Sequence, residues 1–84
     1  MVKNDMRAED GSKNLVGPRV RALRQKAGLS QEELMTQLQL LGMTSERGVV
    51  KRMENGDRAV SDLEVRLLAK YFKVSYEYLI DGTN

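Results

Sequence analysis

Ser30 followed three residues on by Glu33, and Ser61 followed by Glu64, write the same helix-start signal twice into this chain. In that arrangement the serine hydroxyl accepts from the glutamate N–H while the glutamate carboxylate reaches back to the serine N–H. Two of the four orphan donors of a new helix are then satisfied together. Stop signals recur between and after these starts, at Gly28, Gly42, Asn55-Gly56-Asp57 and Asp81-Gly82. Apolar residues between start and stop return at spacings of three and four. No stretch alternates as a half-buried strand would, and no segment repeats. A chain punctuated in this way folds into short helices.

Five helices follow from these marks. The first begins near Gly17-Pro18, since proline suits the first helical turn, and Val16, Val20, Leu23 and Ala27 form its buried stripe. The second starts at Ser30 and buries Leu34, Leu38 and Leu41; Gly42 breaks it and Met43 anchors the turn. The third is capped by Thr44 or Ser45 and runs to about Asn55, with Val50 and Met53 inward. Gly48 falls inside it, at a cost of ~1 kcal/mol relative to alanine; it either lets the backbone approach a partner closely or is a tolerated defect. The fourth opens at Ser61 and buries Val65, Leu68, Ala69 and Phe72. Ser75 caps a short last helix that packs Tyr76, Leu79 and Ile80. Residues 1–14 are polar, mixed in charge and aperiodic, which reads as a flexible N-terminal arm, either a disordered terminus or a segment that touches DNA or another partner. The folded domain is then 15–84.

With 84 residues, 40% of them apolar, the chain can build one small core, to which dimerisation would add stability. Cysteine and histidine are both absent. That removes disulfides, thiolate metal sites and the commonest general base and zinc ligand. There is no glycine-rich phosphate loop and no constellation of carboxylates, so the expectation is no enzyme, no cofactor and no metal. No apolar run approaches the ~20 residues of a membrane span and the start lacks a signal-peptide core, which points to a soluble cytoplasmic protein. The net charge of +2 is unevenly spread. Residues 17–58 hold eight basic and five acidic groups, residues 59–84 three and four, and residues 1–16 balance. The positive excess sits with the second and third helices, where an anionic partner would dock.

Two short helices joined by a turn, the second basic, suit insertion into the DNA major groove. The blocks Val20-x-x-Leu23-Arg24, Gly28-Leu29-Ser30-Gln31-x-x-Leu34, Val50-x-x-Met53-Glu54-Asn55-Gly56-x-Arg58, and Leu68-Ala69-Lys70 through Val74-Ser75, in this order, resemble the lambda-repressor/Cro type of helix-turn-helix family over about residues 17–81. The resemblance implies an all-α, compact four- or five-helix domain that binds operator double-stranded DNA as a homodimer and regulates transcription, most simply as a repressor. It also implies that the front of the third helix faces the groove, with Ser45 at its start and Glu46, Arg47, Val49, Lys51 and Arg52 along it. Arg47 is the first choice for base reading, because a guanidinium bonds guanine O6 and N7 together. Lys51 and Arg52 either read bases or hold backbone. Asn55 and Arg58 follow as phosphate contacts, although Asn55 serves equally as a turn former. Gln31 stands in the first turn of the second helix, where it donates to a phosphate, bridges to the third helix, or simply solvates a helix end. The family pattern joins Arg24 and Glu54 as a structural ion pair between the first and third helices.

Three positions depart from the pattern. Gln39 stands where the second helix ordinarily ends in glycine, and Leu40-Leu41-Gly42-Met43-Thr44 lengthens the turn, so the second helix gains about one turn. Met35 replaces a small residue at the helix crossing, which widens it. Gly48 is the third.

Leu63, Leu67 and Tyr71 make a second apolar row on the fourth helix. With Tyr76, Tyr78 and Ile80 they form either a symmetric dimer interface or a wrapping around the small core. A protein-interaction module, such as an antitoxin or antirepressor with autoregulatory DNA binding, is the alternative reading, with a different chain on that surface.

Overall fold

Helices form where the start and stop signals stand. The structure, a computed structural model, describes residues 7–44 and 48–83. Its elements are α1 (Gly17–Lys26), α2 (Gln31–Leu40), α3 (Val49–Glu54), α4 (Asp62–Phe72) and α5 (Tyr76–Asp81), and among the described residues all regular structure is helical. Both expected capping boxes are present. Ser30 Oγ accepts from Glu33 N–H at 3.0 Å while Glu33 Oε1 accepts from Ser30 N–H at 2.8 Å. The Ser61–Glu64 box closes at 3.2 and 2.9 Å, and Ser75 Oγ accepts from Tyr78 N–H at 3.0 Å.

Three stops share one geometry. At Gly28, Gly42 and Gly56 φ is positive, a conformation that costs glycine nothing. In each case the glycine N–H bonds the carbonyl three residues back and the next N–H bonds the carbonyl five back, as in Gly42 to Gln39 and Met43 to Leu38. The reversal at Gly42 carries Met43 into the interior, where it is buried.

The core takes Val16 and Val20 from the start of α1, Leu34 and Leu38 from α2, and Met43 from the turn. Val49, Val50 and Met53 from α3, Leu68 and Ala69 from α4, and Leu79 from α5 complete it. Each large apolar side chain sealed there contributes about 1.5–3 kcal/mol over its exposed state. Leu23, Val65, Phe72 and Ile80 are partly buried against this cluster. Three expected core residues are instead exposed: Ala27, Leu41 and Tyr76. Ala27 and Leu41 are the C-caps of α1 and α2, where the chain is already turning away, and Met43 fills the place expected of Leu41. Tyr76 is the first residue of α5, whose inward position belongs to Leu79.

The third helix is shorter than its sequence suggests. It begins at Val49, and Gly48 precedes it as a left-handed N-cap with φ 80°, so this glycine is a hinge into the helix and not an interior defect. A Cβ there would meet nothing within 4 Å. The demand is for the sign of φ alone. Thr44 lies outside the helix, and Ser45 lies outside the described residues.

Residues 13 and 14 belong to the body and not to a free arm. Lys13 N–H bonds Gly56 O at 2.8 Å. Asn14 Nδ2 donates to Met53 O at 3.0 Å and Arg58 O at 2.7 Å, while its Oδ1 accepts from Gly17 N–H at 2.8 Å. One amide thus caps the start of α1 and grips the end of α3 and the loop beyond it. At the other side of α1, Arg19 donates to the carbonyls of Leu79 and Ile80 at 3.3 and 2.7 Å, satisfying the C-terminal end of α5 with a cation.

α1 and α3 approach backbone to side-chain-free backbone. A Cβ built on Gly17 would stand 2.5 Å from Met53 O and 3.1 Å from Glu54 O. Gly17→Ala is therefore expected to push α3 off α1 and cost about 1–3 kcal/mol, as overpacking does. Thermal denaturation followed by circular dichroism should show a fall in Tm of several degrees, and an unchanged Tm would mean that the two helices do not need this closeness.

Candidate nucleic-acid interface

α3 has two unlike sides. Val49, Val50, Met53 and Glu54 are buried, whereas Lys51, Arg52 and Asn55 are exposed. Lys51 and Asn55 are one turn apart and share a face. Val49 is 1% exposed and sits in the core, so the expectation that it faces the groove is corrected. With α3 starting at Val49, its first turn points two consecutive valines inward and leaves the outward side to the cations.

The back of α3 is fixed by one carboxylate. The side chain of Glu54 is 0% exposed. Its Oε2 accepts from Arg24 Nε at 2.6 Å, and its Oε1 accepts from Arg24 Nη2 at 3.0 Å and from Gln31 Nε2 at 3.0 Å. Arg21 Nε adds a longer contact to Oε1 at 3.4 Å. Arg24 also donates from Nη1 to Leu29 O at 2.9 Å, tying the α1–α2 turn into the same knot. Three elements therefore converge on Glu54: α1 through Arg24, α2 through Gln31, and α3 itself. The fork-on-fork arginine pairing supplies direction as well as charge. Among the described residues no buried side-chain polar atom lacks a partner.

Burial, the largest influence on Glu54, pushes its carboxyl upward. The hydrogen bonds from Arg24 and Gln31, the Arg24 charge and the Arg21 contact together outweigh it, leaving the group below the ordinary glutamate range. Arg24 is raised in turn, chiefly by its hydrogen bonds to Glu54. Glu64 follows the same logic: burial pushes it up, and Arg58 and the Ser61 N–H bring it below the usual range.

Two helices joined by a turn, the second locked from behind and cationic in front, form a helix-turn-helix. A helix-turn-helix family model of the lambda-repressor/Cro type matches residues 20–79. The chain belongs to this family. It is a DNA-binding regulator of that type. Neither the curated proteins nor the solved structures compared with it give a match.

Within the helix-turn-helix, α2 and α3 are the two helices of the motif. A cleft of about 450 Å³ opens between them, with Met35 and Gln39 of α2 and Val49 and Lys51 of α3 among its lining. Of the residues expected at the interface, Lys51, Arg52 and Asn55 share the exposed side of α3. Ser45, Glu46 and Arg47 lie outside the described residues. Gln31 spends its amide on Glu54, so of its three sequence readings the bridge is the one the geometry contains. Arg58, expected at a phosphate, holds both oxygens of Glu64 with Nη1 and Nη2 at 2.9 and 2.8 Å. That pair bolts the loop after α3 onto the capping box of α4.

The second apolar row also divides. Leu63 and Tyr76 are 68% and 54% exposed, while Leu67 and Tyr71 are partly buried against the core, and Tyr71 meets Phe72 edge-on at 5.0 Å. Tyr78 is half-buried. Leu63 and Tyr76 line a surface groove of about 530 Å³ between α4 and α5, together with Val60, Val65, Ile80, Asp62 and Arg66. Among the described residues no helix is long and apolar enough to cross a membrane and no acidic cluster could hold a metal ion.

Sequence reasoning missed two polar residues here. Arg21 lies one turn before Arg24 on the same face of α1, a spacing that was available as a signal. Asn14 stands three residues before Gly17-Pro18, where an amide can cap a helix that lacks a serine.

Because Glu54 titrates below its unfolded value, its contribution to stability is present above about pH 4.3 and is lost as pH falls through the folded value. Glu54→Gln leaves the partly buried Arg24 without its counter-charge and should cost about 3–5 kcal/mol at pH 7. It should also shallow the acid limb of the Tm–pH profile. The check is melting from pH 7 down to pH 3: parallel limbs for the two proteins would mean that this carboxylate is no part of acid unfolding.

Proposed function

We propose that the chain is a sequence-specific transcription regulator, a dimeric repressor that lays α3 along the major groove of its operator. The observation that carries this reading is the division of α3 into a back sealed by the Glu54 network and a front bearing Lys51 and Arg52. A helix held this way is fixed through Glu54 at its back and carries Lys51 and Arg52 on its exposed side. Base reading is assigned to Arg47 on its guanidinium chemistry and its place just ahead of α3, with Ser45 and Glu46 beside it. Lys51, Arg52 and Asn55 take phosphate or base edges, and Gln31 acts indirectly by holding Glu54. Repression follows from occupancy, by blocking access to a promoter.

For the dimer we assign the α4–α5 groove. Leu63 and Tyr76 supply exposed apolar area, while Leu67 and Tyr71 pack against the core and, like Tyr78, are not among the groove's lining. Asp62 and Arg66 are one turn apart on α4, and both line the groove. A two-fold axis there would set Asp62 of one copy against Arg66 of the other, the self-complementarity an isologous contact needs. The same exposed apolar groove favours a second reading, a protein-interaction module such as an antitoxin or antirepressor, with a different chain occupying it.

Selection of bound duplexes from a random pool tests the DNA reading. The enriched site should be two-fold symmetric with half-sites about one helical turn apart, ~34 Å, and affinity should fall steeply with salt. Absence of enrichment, with no mobility shift on any duplex, would overturn it. Arg47→Ala should relax base preference while Lys51→Ala weakens binding. The dimer surface is tested separately by sedimentation of Leu63→Glu, a substitution that leaves the core untouched. It should run as a folded monomer; a Leu63→Glu protein that remains dimeric removes this surface, and a monomeric wild type favours the second reading.

A further inference from the structure

We infer that Arg21, on α1, is a DNA-phosphate contact that extends the cationic front of α3 onto its neighbour. The inference rests on the DNA reading of α3 given above. Arg21 and Arg24 both reach Glu54, but unequally. Arg24 makes the 2.6 and 3.0 Å pair and its side chain is 13% exposed, whereas Arg21 makes only the 3.4 Å contact and its side chain is 47% exposed. Glu54 carries one negative charge, and Arg24 with Gln31 already fills both of its oxygens. Arg21 is thus electrostatically surplus to the buried pair.

Its direction is set by its second bond. Arg21 Nη2 donates to Asn55 Oδ1 at 3.1 Å. Asn55 caps α3 and lies one turn beyond Lys51 on the exposed side, so Lys51, Asn55 and Arg21 form one continuous row across two helices. A duplex seated on Lys51 brings a sugar-phosphate strand past the end of that row. The Arg21 fork, held by Asn55 at one nitrogen, retains further N–H donors for a phosphate oxygen. Letting go of Glu54 costs little at 3.4 Å in a half-exposed position. A phosphate there gains a guanidinium already pointed outward. The contact carries no base information, so it acts on every sequence alike.

The test is the salt dependence of duplex binding by the full chain, measured by fluorescence anisotropy for wild type, Arg21→Gln and Arg21→Lys on one selected and one random duplex. Arg21→Gln should weaken both duplexes by the same factor and lower the slope of log K against log salt by about 0.9, the release of one counterion. Its melting temperature should stay near that of wild type, since Arg24 and Gln31 still satisfy Glu54. Arg21→Lys should restore the slope. A wild-type slope in Arg21→Gln would overturn the Arg21 assignment and leave the DNA reading standing. A loss confined to the selected duplex would also overturn it, because that is base reading. A wild-type protein that binds neither duplex would overturn both.

Discussion

The buried carboxylate of Glu54 is the constraint on which the arrangement of the three N-terminal helices depends. A charge in the interior is tolerable only when its lone pairs are filled by donors of fixed direction. Arg24 and Gln31 fill them from two different helices, and the fork of Arg24 also holds the carbonyl of Leu29. The knot therefore adds directional bonds to the apolar packing that sets the angle between the helices. What valines 49 and 50 contribute is cohesion; what Glu54 contributes is direction.

α3 needs such an anchor because it has little stability of its own. Six residues are well under the length at which an isolated helix persists in water. Its order comes from the elements behind it: the close passage of Gly17 against Met53 and Glu54, the amide of Asn14 on Met53 O, and the Glu54 network. The two jobs of the helix, holding position and presenting cations, are divided between opposite faces.

Much of this was legible in the chain. The two serine–glutamate boxes, the glycine stops and the spacing of Val20, Leu34, Leu38, Met53 and Leu68 place the helices and most of the core, because local hydrogen bonding and burial periodicity decide those features. Arg24 with Glu54 was readable only through resemblance, since their separation in sequence carries no local signal. The misreadings cluster where tertiary context outweighs local preference. Gly48 looks like a helix interior from its neighbours, yet the turn demands its positive φ. The family pattern sets Val49 outward, yet α3 begins at this residue and turns it into the core. The pairing of Arg58 with Glu64 has no local signal in the sequence, because Glu64 is already engaged in a cap. Leu67 and Tyr71 are distinguished from Leu63 only by their packing against the core.

The anchors of α3 all lie outside its connection to α2. Gly42 reverses the chain and sends Met43 into the core, while the grip on α3 comes from residues 14, 17, 24 and 31, all upstream of that connection. Length in the loop between the motif helices is thus decoupled from where the second of them sits. Insertions there would lengthen the loop while the angle of α3 against α1 and α2 stays put, so such a scaffold can vary at this connection without rebuilding itself.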